Sequence, residues 1–482
     1  MALTILGLFV HGYHLGMEDE AVYLPAIKYH LDPALYPYNS IFFLQQMRFT
    51  VYPEAMAMLI RLSRLTPERV IFGAHFLSVF LVLLGCLRLT KRMFASAEAQ
   101  WSSVTLIAAL LTLPVGGTAL LMVDQYLHPR SFTTAFVLFA LVEVLDGSLL
   151  RAAFWVLLAA MLNPLLAFPG AVFAAIPALR RQSGQRAKEK LGTILAAGAV
   201  SVNDLWGEVT QSYFYLSRWT WYELIGLVAP LALLFAIGRA RPSNTLPGFN
   251  IVVSQTPLFG LCFAAVSLAL CVPPLDGLSP LQPMRALHLV YIVLFIVLGG
   301  LAGEYFLKRK PLRWALFFTP LFILMFSVQM YRYSGSDHIE WPGIQPRNQW
   351  VQAFNWVREN TPKDAFFALD PVYMDTTGED LHGFRALAER SAVGDIVKDP
   401  VVVSTIFAAG EITGDGFMKF LEVASEWHNQ VTALRGWKHF GPDDFRGLRE
   451  RFGVGWVILE KPDISGLRCV YENEAVKVCK ID

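Results

Sequence analysis

The chain has 482 residues, of which 55% are apolar and only 16% charged, and its mean hydropathy is +0.44. A soluble chain carries about 25% charged residues, so the deficit excludes a disordered protein and argues for a chain whose main solvent is lipid. With 40 basic and 39 acidic residues the net charge is +1, which leaves no general attraction to nucleic acid and removes that class of partner.

A bilayer crossing takes about 20 apolar residues. Residues 2–15 predict a short first helix carrying His11 and His14, without the basic start or small-residue cleavage site of a signal peptide. The loop that follows, residues 17–69, opens with Glu18-Asp19-Glu20 and continues with apolar stretches too short to span; amphipathic helices lying in the interface are expected there. Span-like segments come at 70–87, 101–122, 132–145, 221–237, 251–272, 286–307 and 314–330. Segment 149–179 is basic at both ends and broken by Asn163-Pro164 and Phe168-Pro169-Gly170, which predicts a helical hairpin turning near Asn163. Segment 191–200 reads as one more, abbreviated pass. Basic clusters at 88–92, 180–190, 239–241 and 308–313, with Arg151 as a weaker marker, assign the cytoplasmic ends. The sum is about eleven passes, with the N-terminus inside and the C-terminus outside.

From residue 331 charged helices alternate with short apolar strands. Helices are expected at 350–360, 417–434 and 443–452, strands at 365–369 and 454–459, and a hairpin whose arms, 469–471 and 476–479, flank Glu472-Asn473-Glu474. The fold class is therefore mainly α: a polytopic helical bundle over residues 1–330, including the outer loop 17–69, and a small α/β extramembrane domain over 331–482. Of the five cysteines, Cys86, Cys262 and Cys271 read as small buried hydrophobes. Cys469 and Cys479 stand at matching places in the hairpin, where a disulfide is open to them in an oxidising compartment. Most of the tryptophans at 341, 350, 356, 427, 437 and 456 read as core, with contact to glycan the alternative for some of them. The acidic stretch Asp370, Asp375, Glu379 and Asp380 reads as a solvated loop, because its spacing fits no calcium loop.

The topology sends several polar clusters to the outer boundary. One carboxylate of Glu18-Asp19-Glu20 is a candidate general base, set against the plainer role of acids at a helix start. Asp124, His128 and Arg130 lie between two spans, as a loop cap or as an anion site in which Arg130 makes paired contacts to phosphate. Arg285 and His288 share a face where a helix opens, and an anion nearby would offset a cation at the positive end of the helix dipole. Arg218 and Glu223 bracket Trp219-Thr220-Trp221-Tyr222, an interfacial aromatic belt or a cavity wall.

In its first-loop acids, the Leu-Asp-Pro-Ala-Leu-Tyr-Pro stretch from Leu31 to Pro37, residues 124–130, 218–223 and 282–288, and the tail from Trp356 to Ala365, the chain resembles the GT-C membrane glycosyltransferases, in particular an uncharacterised bacterial branch with an outer C-terminal domain. The resemblance implies transfer of a sugar from a polyprenyl-phosphate carrier to an acceptor on the outer face of the cytoplasmic (inner) membrane. It implies Asp19 or Glu18 as base, and a carrier phosphate held by Arg130, His128, Arg285 or His288. Membrane lipids are implied as surroundings, and a divalent metal is a cofactor of some members. The alternatives are a non-catalytic polyprenyl-lipid scaffold and a transporter, for which Glu143 would be the ionisable group near the midplane.

Overall fold

The computed structural model describes residues 1–182, 211–272, 275–375, 382–413, 416–462 and 465–482. The expected pass at 191–200, the basic stretch from 183 to 190 and the acids Glu379 and Asp380 lie outside them. The chain is mainly helical, with a small sheet, and divides into two compact units. The first holds Met1–Gly12, 74–182 and Gln211–Gln329; the second holds Tyr13–Gly73 and Met330–Asp482.

In the first unit, hydrophobic length decides which helices reach membrane thickness. Among the described residues five helical segments are long and apolar enough to cross: Pro67–Met93, which begins in the second unit, Trp221–Ala240, Pro247–Ala269, Asp276–Leu307 and Pro311–Arg332. Ala2–His11, Leu149–Leu162 and Pro164–Ala178 are shorter apolar helices. These elements identify the chain as a membrane protein. Asp276–Leu307 is the most enclosed of the five, and its central helix, Leu287–Leu301, is buried along nearly its whole length. Pro311–Arg332 exposes Leu312, Leu316, Ile323 and Leu324; an outward apolar surface of this kind suits lipid.

Two details show how sequence breaks become geometry. The hairpin turn at Asn163 is present: the Leu149–Leu162 helix ends on an extended Asn163, whose Oδ1 accepts from the Leu166 amide at 3.1 Å and so caps the Pro164–Gln182 helix. Segment 101–122 is not a single span. Its helix, Ala97–Ala109, gives way to a two-stranded pairing of Pro114–Val115 with Leu120–Leu121. Pro114 cannot continue a helix, and Gly117 takes a φ of 68° with the Trp219 ring packed where a Cβ would stand.

The second unit is built around a five-stranded sheet in the order Ser391–Ala392, Phe366–Ala368, Trp456–Glu460, Val476–Lys480, Arg468–Glu472. The first three strands run parallel, and the last two complete an antiparallel hairpin. Phe445 and Leu448 of the Pro442–Phe452 helix close one apolar cluster with Val457 and Cys479. Cys469 and Cys479 are register partners and are bonded to each other.

The loop that follows the first helix departs from expectation. The Glu20–Leu31 helix is buried over most of its length rather than spread on an interface. Phe42 belongs to an apolar cluster with Val403, Phe420 and Trp427. The loop that the sequence reading assigned to the membrane domain thus groups with the C-terminal segment, because its hydrophobic side chains find partners there. The Tyr52–Ser63 helix does keep an outward apolar stripe, with Met58 and Leu62 exposed.

Gly303 lets two helices touch: a Cβ there would meet the Glu98 carbonyl oxygen at 2.4 Å and the Ala99 Cα at 2.7 Å, both backbone atoms that cannot swing aside. Gly303→Ala is expected to cost about 1–3 kcal/mol through overpacking, read as a lower melting temperature of the detergent-solubilised protein. Replacing both Cys469 and Cys479 by serine should cost about 2–3 kcal/mol for a loop of this length, seen as a lower denaturant midpoint, whereas Cys262→Ser should leave stability unchanged.

Candidate functional site

A strand-like stretch organises the second unit. Tyr13 donates its amide to the His338 carbonyl (3.0 Å), and its own carbonyl accepts from the Glu340 amide (2.9 Å). Three residues on, the Gly16 carbonyl accepts from the Gly383 amide (2.8 Å). Residues 13–17 are thereby laced between 338–340 and 382–383, which brings His14, Glu340 and His382 together. Glu340 Oε1 lies 2.9 Å from His382 Nε2 and 3.4 Å from His14 Nδ1, and its Oε2 accepts from the Leu15 amide at 2.9 Å. Burial alone would raise the Glu340 carboxyl pKa. The charge and hydrogen bonds of His382 and His14 outweigh it and hold the group well below the usual carboxylate range.

Glu340 also lines an open cleft of about 770 Å³ within this unit. Two of its walls are aromatic: Trp341 is 43% exposed, and Trp356 stacks on Tyr471 with ring centroids 5.0 Å apart. The polar wall is a relay of alternating charge. Glu68 meets Arg358 at 3.3 Å, Arg358 meets Glu389 at 3.8 Å, and Glu389 meets the buried Lys28 at 2.7 Å. Arg69 and Glu359 line the same space. Glu68 and Arg69 stand in the first turn of the Pro67–Met93 helix, so the cleft opens at the end of a span-length element. An apolar ring face, guanidinium groups and carboxylates within one cleft are the ingredients for holding a polyhydroxylated, anionic ligand.

The residues singled out from sequence take the following places. The three first-loop acids have three separate fates. Glu18, at a φ of 49°, pairs with Lys398 at 2.6 Å; Asp19 lies 3.6 Å from the same ammonium and precedes the Glu20–Leu31 helix; buried Glu20 accepts the Gly16 amide at 2.6 Å. None of the three lines the cleft.

The remaining sites belong to the first unit. Arg130 is buried and makes a two-pronged pair with Asp124, with contacts of 2.9–3.1 Å. His128 Nδ1 accepts the Arg130 amide at 3.0 Å and caps the Pro129–Leu145 helix. His288 donates Nε2–H to the Met122 carbonyl at 2.8 Å. Arg285 sits half-buried in the Pro283–Ala286 turn. Arg218 lies over the Tyr215 ring at 4.5 Å, and Glu223 forms a capping box with Thr220. Arg218 and Glu223 thus hold helix ends and rings in place, and Asp124 and Arg130 neutralise each other away from water.

Sequence reasoning passed over Glu340, His382, Trp341 as a cleft wall, and Arg358. Their only local signals are single residue types, and their proximity depends on backbone pairing across long separations. The Thr220-x-x-Glu223 box is a local helix-start pattern, yet the 218–223 stretch was read as an aromatic belt or a cavity wall.

Removing one partner of a buried ion pair strands the other charge, at a typical cost of about 3–5 kcal/mol. Arg130→Ala is therefore expected to depress the thermal unfolding midpoint of the solubilised protein sharply, and Asp124→Asn added to it should restore much of the loss. The sequence matches no protein-family model, and among curated proteins it finds no match.

Proposed function

We propose that this chain is a membrane glycosyltransferase that takes a sugar from a polyprenyl-phosphate carrier and passes it to an acceptor on the outer side of the cytoplasmic membrane, in a GT-C-like arrangement of about eleven passes. The observation that carries the reading is the cleft, in which exposed tryptophan faces and paired guanidinium and carboxylate groups meet at the first turn of a span-length helix. A lipid-linked sugar has three matching parts. Its C–H faces pack on indole rings, its hydroxyls bond carboxylates, and its phosphate suits Arg69 and Arg358. The Cys469–Cys479 bond supports an oxidising, outer location for the second unit, as does the basic bias of the opposite loops. The exposed Met58 and Leu62 suit contact with lipid.

Transfer requires a base to take the acceptor hydroxyl proton as that oxygen attacks the anomeric carbon, and cations to receive the charge that collects on the departing phosphate. Two positions compete for the base: Asp19 with Glu18, as the family resemblance implies, and Glu359 in the cleft. A non-catalytic lipid-sugar binder is the second reading. It is favoured by the engagement of Glu68, Glu340 and Glu389 in ion pairs. The transporter reading loses its main support, since Glu143 stands in the last turn of its helix, 3.1 Å from Arg151.

The test is turnover by the full chain in proteoliposomes supplied with a panel of polyprenyl-phosphate sugars. Trp356→Ala should raise KM about tenfold or more, and loss of the true base, in Asp19→Asn or Glu359→Gln, should lower kcat about 10²–10⁴-fold. Donor binding without turnover in the wild type would establish the binder. Neither binding nor turnover across the panel would remove the sugar-lipid reading altogether.

A further inference from the structure

The cluster at the root of the 13–17 lacing has a chemistry of its own. His14 and His382 are almost fully enclosed and Glu340 is 9% exposed. One donor atom from each of the three lies within 4.8 Å of the other two. Three separated pieces of chain deliver these groups, each locked by backbone hydrogen bonds at 13, 16, 340 and 383. The donors are therefore pre-positioned rather than carried on a flexible loop. His14 Nε2 is buried without a hydrogen-bond partner. A ring that leaves one nitrogen unsatisfied in the interior incurs a desolvation cost, which a strong interaction at its other nitrogen would offset.

We infer that His14, Glu340 and His382 bind a single first-row divalent cation, with zinc the fitting member. Two imidazoles and one carboxylate form a nitrogen-rich donor set that selects zinc-class ions over magnesium or calcium, which prefer all-oxygen shells. Tetrahedral zinc with ligand bonds near 2.0–2.1 Å sets its donors about 3.3 Å apart. The observed 2.9 and 3.4 Å separations from Glu340 Oε1 bracket that spacing. The Leu15 amide on Glu340 Oε2 fixes the carboxylate so that Oε1 points inward. Three protein ligands leave the fourth position of a tetrahedral site open; of the three, Glu340 is the one that also lines the cleft. The site stands whether or not the cleft takes a sugar lipid.

The experiment uses tag-free full-length protein in detergent, treated with chelator, desalted and titrated with Zn²⁺ and separately with Co²⁺. One equivalent of zinc per chain is expected, unaffected by millimolar Mg²⁺ or Ca²⁺, together with visible Co²⁺ absorption of low-coordinate type and a raised melting temperature. His14→Ala and His382→Ala should each weaken binding about 100-fold or more and abolish the cobalt spectrum, while His439→Ala, at an exposed histidine, should bind as the wild type does. Glu340→Gln keeps the size and shape of the side chain and one acceptor oxygen, which can still take the Leu15 amide, while removing the charge; it gives a comparison closer to the native packing should an alanine variant fail to fold, and it too should lose the spectrum. A chelated wild type that takes up neither ion at micromolar concentration would overturn the inference, leaving a histidine–carboxylate hydrogen-bond cluster. So would wild-type affinity in the His14, His382 and Glu340 variants.

Discussion

A polar group withdrawn from water has to find its partner inside the protein, and this requirement orders both units. In the membrane unit it explains why Arg130 closes on Asp124. It explains why His11 donates to the Ala108 carbonyl and reaches Thr112, and why Gln329 joins Thr112 and Gln125. It also explains why His288 ends on the Met122 carbonyl. Each unmade bond of this kind would cost about 1–3 kcal/mol. In the second unit the same rule pairs buried Lys28 with Glu389, and Arg385 with Asp399 through two contacts of 2.7 and 2.9 Å. Buried pairs of this sort specify an arrangement more than they add net stability.

Where satisfaction is complete the groups are architectural, and where it is partial they are available for work. Asp124, Arg130 and Glu223 belong to the first class, although their residue types and loop positions resemble a binding site. The cleft belongs to the second. Its charged wall is half-exposed, its tryptophans face open space, and Glu340 is held ionised by two histidines. A ligand entering there would meet groups already oriented by their neighbours, so little ordering would remain to oppose binding.

The long, uniformly apolar segments were legible as spans, since the run of hydrophobic residues is itself the determinant of Pro67–Met93, Trp221–Ala240, Pro247–Ala269 and Pro311–Arg332. The break at Asn163-Pro164 was legible for the same local reason. So were the Gln349–Asn360 and Pro442–Phe452 helices and the hairpin bearing Cys469 and Cys479. Segment 101–122 misled because average hydropathy hides what Pro114 and Gly117 do to a backbone. The Glu20–Leu31 helix misled because an apolar segment too short to span suits a lipid interface and a protein interior equally well.

The sequence by itself determined the solvent of this protein, the broad helical class and the local elements, because hydropathy, proline and periodicity act over a few residues. Only the tertiary structure decided that residues 13–73 share a unit with 330–482, that Glu18 and Asp19 face Lys398 rather than the cleft, and that His14, Glu340 and His382 converge. Those outcomes depend on hydrogen bonds and packing between segments hundreds of positions apart. No local pattern encodes such pairings, since each is fixed only when the whole unit has closed around its buried polar groups.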